Sequence, residues 1–417
     1  MNRRGAATLG MRCIAAIALL GAACASTAGD SRFREDQPVR IGWIDDGTDS
    51  GAAMELLALR LAVEELNAAG GILGRVVELL EFDTGGDEDA YADGAIELVT
   101  AGACAVVGPS TDQAAYRVGP ALEKANVPMV LTSATDPGLT AVTFGAYTRP
   151  RPYCYRAGVS DVYLGFASAC WAAERFGPER IAIVADRDDP AAMRAAFAID
   201  LTLRALRREC HLFSTKDASK DAAVIADTSF GLVFMCADFK VASPLVRSLR
   251  SAGVACPVVG EASWQAAESA DAPLEGLGDC WYAAQASRGD PSCAPFASRF
   301  EARFGLRPSA RAFVARDALA LVAAAIELAG VDEGRRVAQA LHGIRVDGIT
   351  ATLDISTANH DPYMRTVTIV EIAGGEARFF ERYVPDLESL MRDPSNGVVR
   401  AFGDSRFAGA ARRREHQ

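Results

Sequence analysis

"VVGPSTDQAAYRVGPALEKANVPMVLTSATDP", residues 106–137, reads as strand, turn, helix and second strand in unbroken succession. Val106 and Val107 close an apolar β-branched run, Gly108–Pro109 turns the chain, and residues 113–126 carry a helical pattern. Two strands separated by one helix form a βαβ unit, which implies a parallel pair with a crossover helix. The helix after such a turn leaves its first backbone N–H groups without intrahelical partners, and these attract anions. Ser110 and Thr111 suit an anion, because hydroxyls donate without bringing charge, whereas Asp112 does not.

The same alternation runs outward in both directions. "VRIGWID" (39–45) is a strand, and the turn "DGTDSG" leads into a helix over residues 52–71. There Leu56, Leu59, Val63 and Leu66 share one face, Arg60 and Glu64 form an i,i+4 pair on the wet side, and Gly70–Gly71 end the helix. Strand 76–84, helix 88–101 and strand 103–108 complete the approach to the opening unit. A second series begins with helix 164–177 and continues through strands 180–186, 210–214, 230–237 and 256–262, with helices at 191–208 and 244–253. "RIAIVAD" and "GLVFMCA" are apolar throughout, as expected of parallel strands covered by helices on both faces. The expected fold class is therefore α/β, with two doubly wound parallel-sheet lobes. After Asp279 come a further apolar stretch, three helical segments and a hairpin about Gly374–Gly375, so the chain returns to complete the lobes.

The 417 residues carry a net charge of −11, which argues against a nucleic-acid partner; the basic run Arg412 to Arg414 reads as a solvated tail. Arg3, Arg4 and Arg12 precede "CIAAIALL" (13–20), an apolar core too short to span a bilayer, followed by small residues. Two processing readings stand. Cys24 is a lipidation site, the preferred reading although Gly21 replaces the usual leucine; alternatively Ala23–Cys24–Ala25 is an ordinary cleavage site. Both place the mature chain outside the cytoplasm, in the periplasm or on the outer face of the membrane. The nine apolar residues 318–326, between Asp317 and Glu327, form a buried helix rather than a membrane span. Ten cysteines include no C-x-x-C pair; Cys280 and Cys293 flank a turn-rich stretch and can pair, or the cysteines are buried small hydrophobes.

Four stretches in order resemble the type I periplasmic solute-binding proteins of ABC transporters, the family that binds branched-chain amino acids, amides and urea. They are "LAVEELNAAGGILGRVVELLEFDT" (61–84), the opening stretch 106–137, "YCYRAGVSDVYLGFASA" (153–169) and "DISTANHDPYMRTVTIVEIAGGEARF" (354–379). The resemblance implies a venus-flytrap of two lobes with three crossovers, near Arg156, Ala283 and Ile369. It divides the chain into a signal peptide (1–24), a linker (25–38), a first lobe (39–155 with 284–369), a second lobe (156–283 with 370–390) and a tail (391–417).

The resemblance also implies the ligand contacts. A hydroxyl after the G-P turn and the segment Ser133, Ala134 and Thr135 would hold a ligand carboxylate, although Ser133 and Thr135 also suit a turn and a helix cap. The hydroxyl position falls on Asp112, with Ser110 and Thr111 just upstream. Either Asp112 caps the helix and faces solvent, or it lines the cleft and the ligand there is neutral or cationic. Asp161 and Glu261 match positions that receive a ligand's amino group, and the first loop adds Asp45, Asp46 and Asp49. Pro190 stands where an aromatic is expected, and Trp264 is the candidate replacement wall.

The expected function is capture of a small polar ligand (amino acid, amide or related amine) by a monomer that delivers it to an inner-membrane ABC permease. A membrane contact is expected only through the N-terminal anchor. The alternative is a lipoprotein or sensor ectodomain that keeps this fold and binds a protein partner. No cofactor and no catalytic residue is expected, since G-x-S-x-G, H-E-x-x-H and P-loop motifs are absent. No metal site is expected either, because "DDGTDSG" lacks the EF-hand spacing, and His360 reads as structural.

Overall fold

Strand β1 (Val39–Asp45) shows how the sequence builds the first lobe. Val39, Ile41 and Trp43 enter one apolar cluster, while Ile44 enters another on the opposite face of the sheet. Alternate residues of a strand point to opposite faces, so burial on both requires an apolar run without alternation. The computed structural model describes residues 37–386, apart from 145–146, 178–179, 218–222, 227–229 and 269–271. The signal peptide, Cys24, nearly all of the linker and the tail with Arg412 to Arg414 lie outside the described residues.

The first sheet has the order β2-β1-β3-β4-β7, all parallel, with β2 at Val77–Asp83, β3 at Ala105–Val107, β4 at Met129–Leu131 and β7 at Cys154–Arg156. Helix α1 (Ser50–Ala68) covers one face, helices α2 (Ala90–Thr100) and α3 (Asp112–Ala125) the other. A short antiparallel hairpin, β5 (Ala141–Phe144) with β6 (Tyr147–Pro150), interrupts the series. The expected Arg60–Glu64 pair does not form; Arg60 binds Glu81 at 2.7 Å and Glu64 binds Arg303 at 2.9 Å. Bidentate partners on neighbouring elements replace a weak exposed pair along one helix.

The second sheet runs β16-β15-β12-β11-β10-β8-β9. Strands β8 (Arg180–Ala185), β9 (Glu209–Ser214), β10 (Leu232–Cys236), β11 (Val258–Gly260) and β12 (Cys280–Ala284) are parallel. Helices α4 (Asp161–Phe176) and α5 (Pro190–Ala205) cover one face, and α6 (Phe239–Ser251) covers the other. The returning helices α7 (Ala294–Phe304), α8 (Ala310–Ala329) and α9 (Gly334–Leu341) join the first lobe's core. A small pair, β13 (Arg345–Asp347) with β14 (Thr352–Asp354), follows. The expected hairpin forms as β15 (Val367–Ala373) and β16 (Glu376–Tyr383), antiparallel on the second sheet's edge. Among the described residues no helix is long and apolar enough to cross a membrane.

Three passages join the lobes. Ala157 belongs to the first core and Val159 to the second; Ala284 and Ala286 divide likewise, and the last passage falls between Ile355 and Val367. Gly158 lies where a Cβ would sit 2.2 Å from the Gln285 side-chain oxygen and 2.3 Å from the Thr132 carbonyl oxygen, so two passages pass without room for a side chain. The Gln285 side chain accepts from Val159 N at 3.3 Å, and its backbone oxygen accepts from buried Arg365 at 3.0 Å. Of the two readings offered for Cys280 and Cys293, the buried small hydrophobe is the one found: both thiols are free and buried, Cys280 in the second lobe and Cys293 in the first. Separate cores hold them, so the turn-rich spacing between them spans a crossover rather than a hairpin.

Candidate functional site

In each sheet the strand order reverses beside the strand that begins its series, β1 in the first and β8 in the second. Crevices open at the carboxyl ends of strands where that reversal occurs. The last residue of β1 is buried Asp45, whose carboxylate accepts from Ser110 N at 2.8 Å, Asp46 N at 2.9 Å and the Tyr91 hydroxyl at 3.3 Å. Burial raises its pKa, and the Ser110 hydroxyl pulls it back. Ser110 therefore faces inward and holds the turn after β3 to the end of β1. Thr111 is the N-cap of α3, its hydroxyl oxygen accepting from Ala114 N at 3.3 Å. Thr111→Ala should cost about 1 kcal/mol, read as a lower denaturant midpoint at unchanged slope; an unmoved midpoint would refute the cap. Asp46 closes its own turn onto Thr48, and Asp49 caps α1 and pairs with Arg311 at 3.1 Å.

After β4 the hydroxyls of Thr132 and Ser133 donate to Glu55 of α1, at 2.5 and 2.7 Å. Ser133 is thus tied to a carboxylate, and Ala134 is buried in the core. Glu55 is fully buried, which pushes its pKa from 4.5 to about 7, against the pull of Arg311. Its proton is held more tightly folded than unfolded, so its contribution is greatest below about pH 4.5 and lost as pH rises to about 7. At about 1.4 kcal/mol per unit, the loss is roughly 3 kcal/mol. Unfolding free energies at pH 5 and pH 8 should therefore differ less in Glu55→Gln than in the native chain; equal differences would exclude it.

Asp112 does not cap α3. One carboxylate oxygen accepts from Thr135 N at 2.7 Å and Asp136 N at 2.9 Å, and the other binds Arg194 Nη2 at 3.0 Å. Arg194 comes from α5 of the second lobe. Its Nε donates to Asp161 Oδ2 at 2.7 Å, and Nη1 lies 3.8 Å from Asp136. Asp161 opens α4 behind the N-cap Ser160 and is buried, with Oδ1 left without a hydrogen-bond partner. Burial pushes its pKa up to about 7, opposed by Arg194. From beneath, fully buried Arg156 donates to the carbonyl oxygens of Thr135 (3.1 Å) and Asp136 (2.6 Å), and pairs with Asp361 at 3.4 Å.

The second-lobe wall is a small hollow lined by Asp161, Ser168 and Glu261 among apolar residues that include Leu164 and Ile199. Buried Ser168 has a hydroxyl without a partner, and Glu261, bonded to Ser263 N at 3.1 Å, has its pKa raised to about 7 by burial. Trp264 is not a wall of this hollow. It is fully buried in the second-lobe core, edge-on to Phe239, with its indole N–H donating to the Ala237 carbonyl oxygen at 3.2 Å. A fully buried ring packs in the core because its apolar area outweighs one polar atom, which the carbonyl satisfies.

Arg194, Glu55 and Arg156 are the residues that sequence reasoning missed as site formers. Arg194 and Glu55 each leave a trace, a charged residue inside an otherwise small or apolar helical stretch, "AAMRAAFAI" and "AAMELLAL". A charge placed at a buried-face spacing signals a polar partner across the fold. His360, by contrast, is structural as expected: it is buried, stacked on Tyr155 and bonded to His342 at 2.9 Å, with its pKa lowered to about 4 by burial.

Two doubly wound lobes with three passages and polar loops at both crevices define a two-lobed solute-binding architecture. A family model described as periplasmic binding protein matches residues 38–377, and the chain belongs to that family. Members act outside the cytoplasm as solute-binding components of transporters. A stretch of 126 residues is 34% identical to the Leu/Ile/Val-binding protein BraC3 of Rhizobium johnstonii, covering 30% of this chain and 32% of that protein. The leucine-binding protein LivK of Thermotoga maritima superposes with TM-score 0.68 at 19% identity, over 84% of this chain and 99% of that one. LivJ of Streptococcus pneumoniae, solved with isoleucine, gives 0.65 at 21% identity over 82% and 99%. A Rhodopseudomonas palustris solute-binding protein solved with 3,4-dihydroxybenzoic acid gives 0.66 at 18% identity over 84% and 98%. The shared fold thus accommodates unlike ligands.

Proposed function

We propose that this chain captures a small polar ligand bearing an amino group (an amino acid, amide or related amine) between its lobes and delivers it to an ABC permease. It acts without covalent chemistry, as a monomer anchored at Cys24 or released by ordinary cleavage. The observation that carries this reading is the charge of the site: Asp112, Asp136 and Asp161 surround the single guanidinium of Arg194, and Asp161 Oδ1 has no partner. A buried carboxylate oxygen without a donor favours a cation or amine over an acid. Family membership and the amino-acid complexes among the solved relatives support it at the level of class. A thermal-shift screen of amino acids, amides, urea and polyamines tests it. A ligand at about 100 times its Kd stabilises by about 2.7 kcal/mol, and the expected result is a raised melting temperature with at least one amine. No shift with any compound would overturn solute capture.

One observation favours a second reading, a surface that binds a protein partner: the backbone N–H groups of Thr135 and Asp136 are already occupied by Asp112. That reading predicts a flat screen.

A further inference from the structure

Arg194 and Asp112 together place opposite charges where the proposed site would receive a ligand's two ends. Asp112 sits on the backbone N–H groups of Thr135 and Asp136, at 2.7 and 2.9 Å. Arg194 sits against Asp161 at 2.7 Å, its guanidinium crossing from the second lobe to Asp112 at 3.0 Å. The two halves differ in one respect. Asp112 bonds to its own lobe and stays in place when the lobes part, whereas Arg194 leaves the first lobe with α5.

We propose that Arg194 is an interlobe latch standing in for a cationic ligand, and that the site selects a guanidinium- or amine-bearing cation without an α-carboxylate beside the charge. The inference rests on the solute-capture reading. Parting of the lobes removes the guanidinium from Asp112 and Asp136 and opens those carboxylates to another cation. An organic cation with two or more donors reproduces the hydrogen bonds of Arg194. An α-amino acid brings a carboxylate to N–H groups that Asp112 already holds, and like charges in a closing crevice repel. Arg194 is only partly buried, its side chain 25% exposed, so the latch is weak enough to be exchanged.

The test uses the mature chain, Arg194→Ala and the double variant Asp112→Ser/Arg194→Ala. Small-angle scattering is measured without ligand, and calorimetry with agmatine, putrescine and leucine. The expected results are a larger radius of gyration for Arg194→Ala than for the native chain, and at least tenfold tighter agmatine or putrescine binding in Arg194→Ala. Leucine binding is expected to appear only in the double variant. Native-chain leucine binding unchanged in Arg194→Ala would overturn the latch while leaving solute capture standing. An unchanged radius together with unchanged cation affinity would also overturn it. If no probe binds any variant, the cation selectivity is overturned even where Arg194→Ala expands, while solute capture is decided separately by the wider thermal-shift screen. Circular dichroism of both variants separates loss of binding from loss of fold. If Arg194→Ala unfolds, Arg194→Lys replaces it: weaker closure with retained cation selectivity supports the latch, and unchanged closure overturns it.

Discussion

Asp317→Ala is expected to lower the unfolding free energy by about 3–5 kcal/mol, the range for breaking a buried ionic network by removing one partner. Asp317 lies fully buried on α8 and accepts from Ile349 N at 2.9 Å, Thr350 N at 2.8 Å and the Thr350 hydroxyl at 2.6 Å. That hydroxyl in turn accepts from fully buried Arg365 at 2.6 Å, and Arg365 reaches the Gln285 carbonyl oxygen. Burial lowers the Arg365 pKa to about 10, opposed chiefly by Asp317. Removing Asp317 therefore strands two backbone donors and the Thr350 hydroxyl, and takes the nearby countercharge from buried Arg365 at the passage between lobes. Denaturant titration reads the loss, and Asp317→Asn should recover part of it by keeping one acceptor. A cost below about 1 kcal/mol would show that water or a shifted loop replaces the carboxylate.

Arg156→Met carries a comparable expectation, about 3–5 kcal/mol, by the same logic of a stranded partner. The side chain is fully buried and holds the carbonyl oxygens of Thr135 and Asp136 while pairing with Asp361. Its second effect separates it from an ordinary core substitution. The loop it holds presents the N–H groups that Asp112 accepts, so amide hydrogen exchange over residues 133–136 should speed up by about tenfold or more. Stability loss with unchanged exchange in that loop would confine Arg156 to a structural role.

Both effects arise in contacts that span distant parts of the chain, and this marks the boundary of what could be read from residue order. The strands and helices were legible because their signals are local. Apolar runs such as 180–186 need helices on both faces, and both faces of the second sheet are covered. The hairpin about Gly374–Gly375 follows from two strand-forming halves around residues that adopt positive φ, 61° and 80°. Asp112 was legible only as a choice, cap or cleft, because both outcomes satisfy the same local pattern. Trp264 looked like a wall because its identity carries no record of which side of β11 it covers.

The local chain therefore settles that this is an α/β protein built of two doubly wound series, since helix and strand formation depend on neighbours within a few residues. The partner of each charge depends on distance in space. Arg194 meets Asp112 across 82 residues, Glu55 meets Ser133 across 78, and Arg365 meets Gln285 across 80. Coulomb energy and hydrogen bonding fall off over ångströms, not over sequence. Folding of the two lobes onto three passages is what brings Asp112, Asp136 and Asp161 around Arg194.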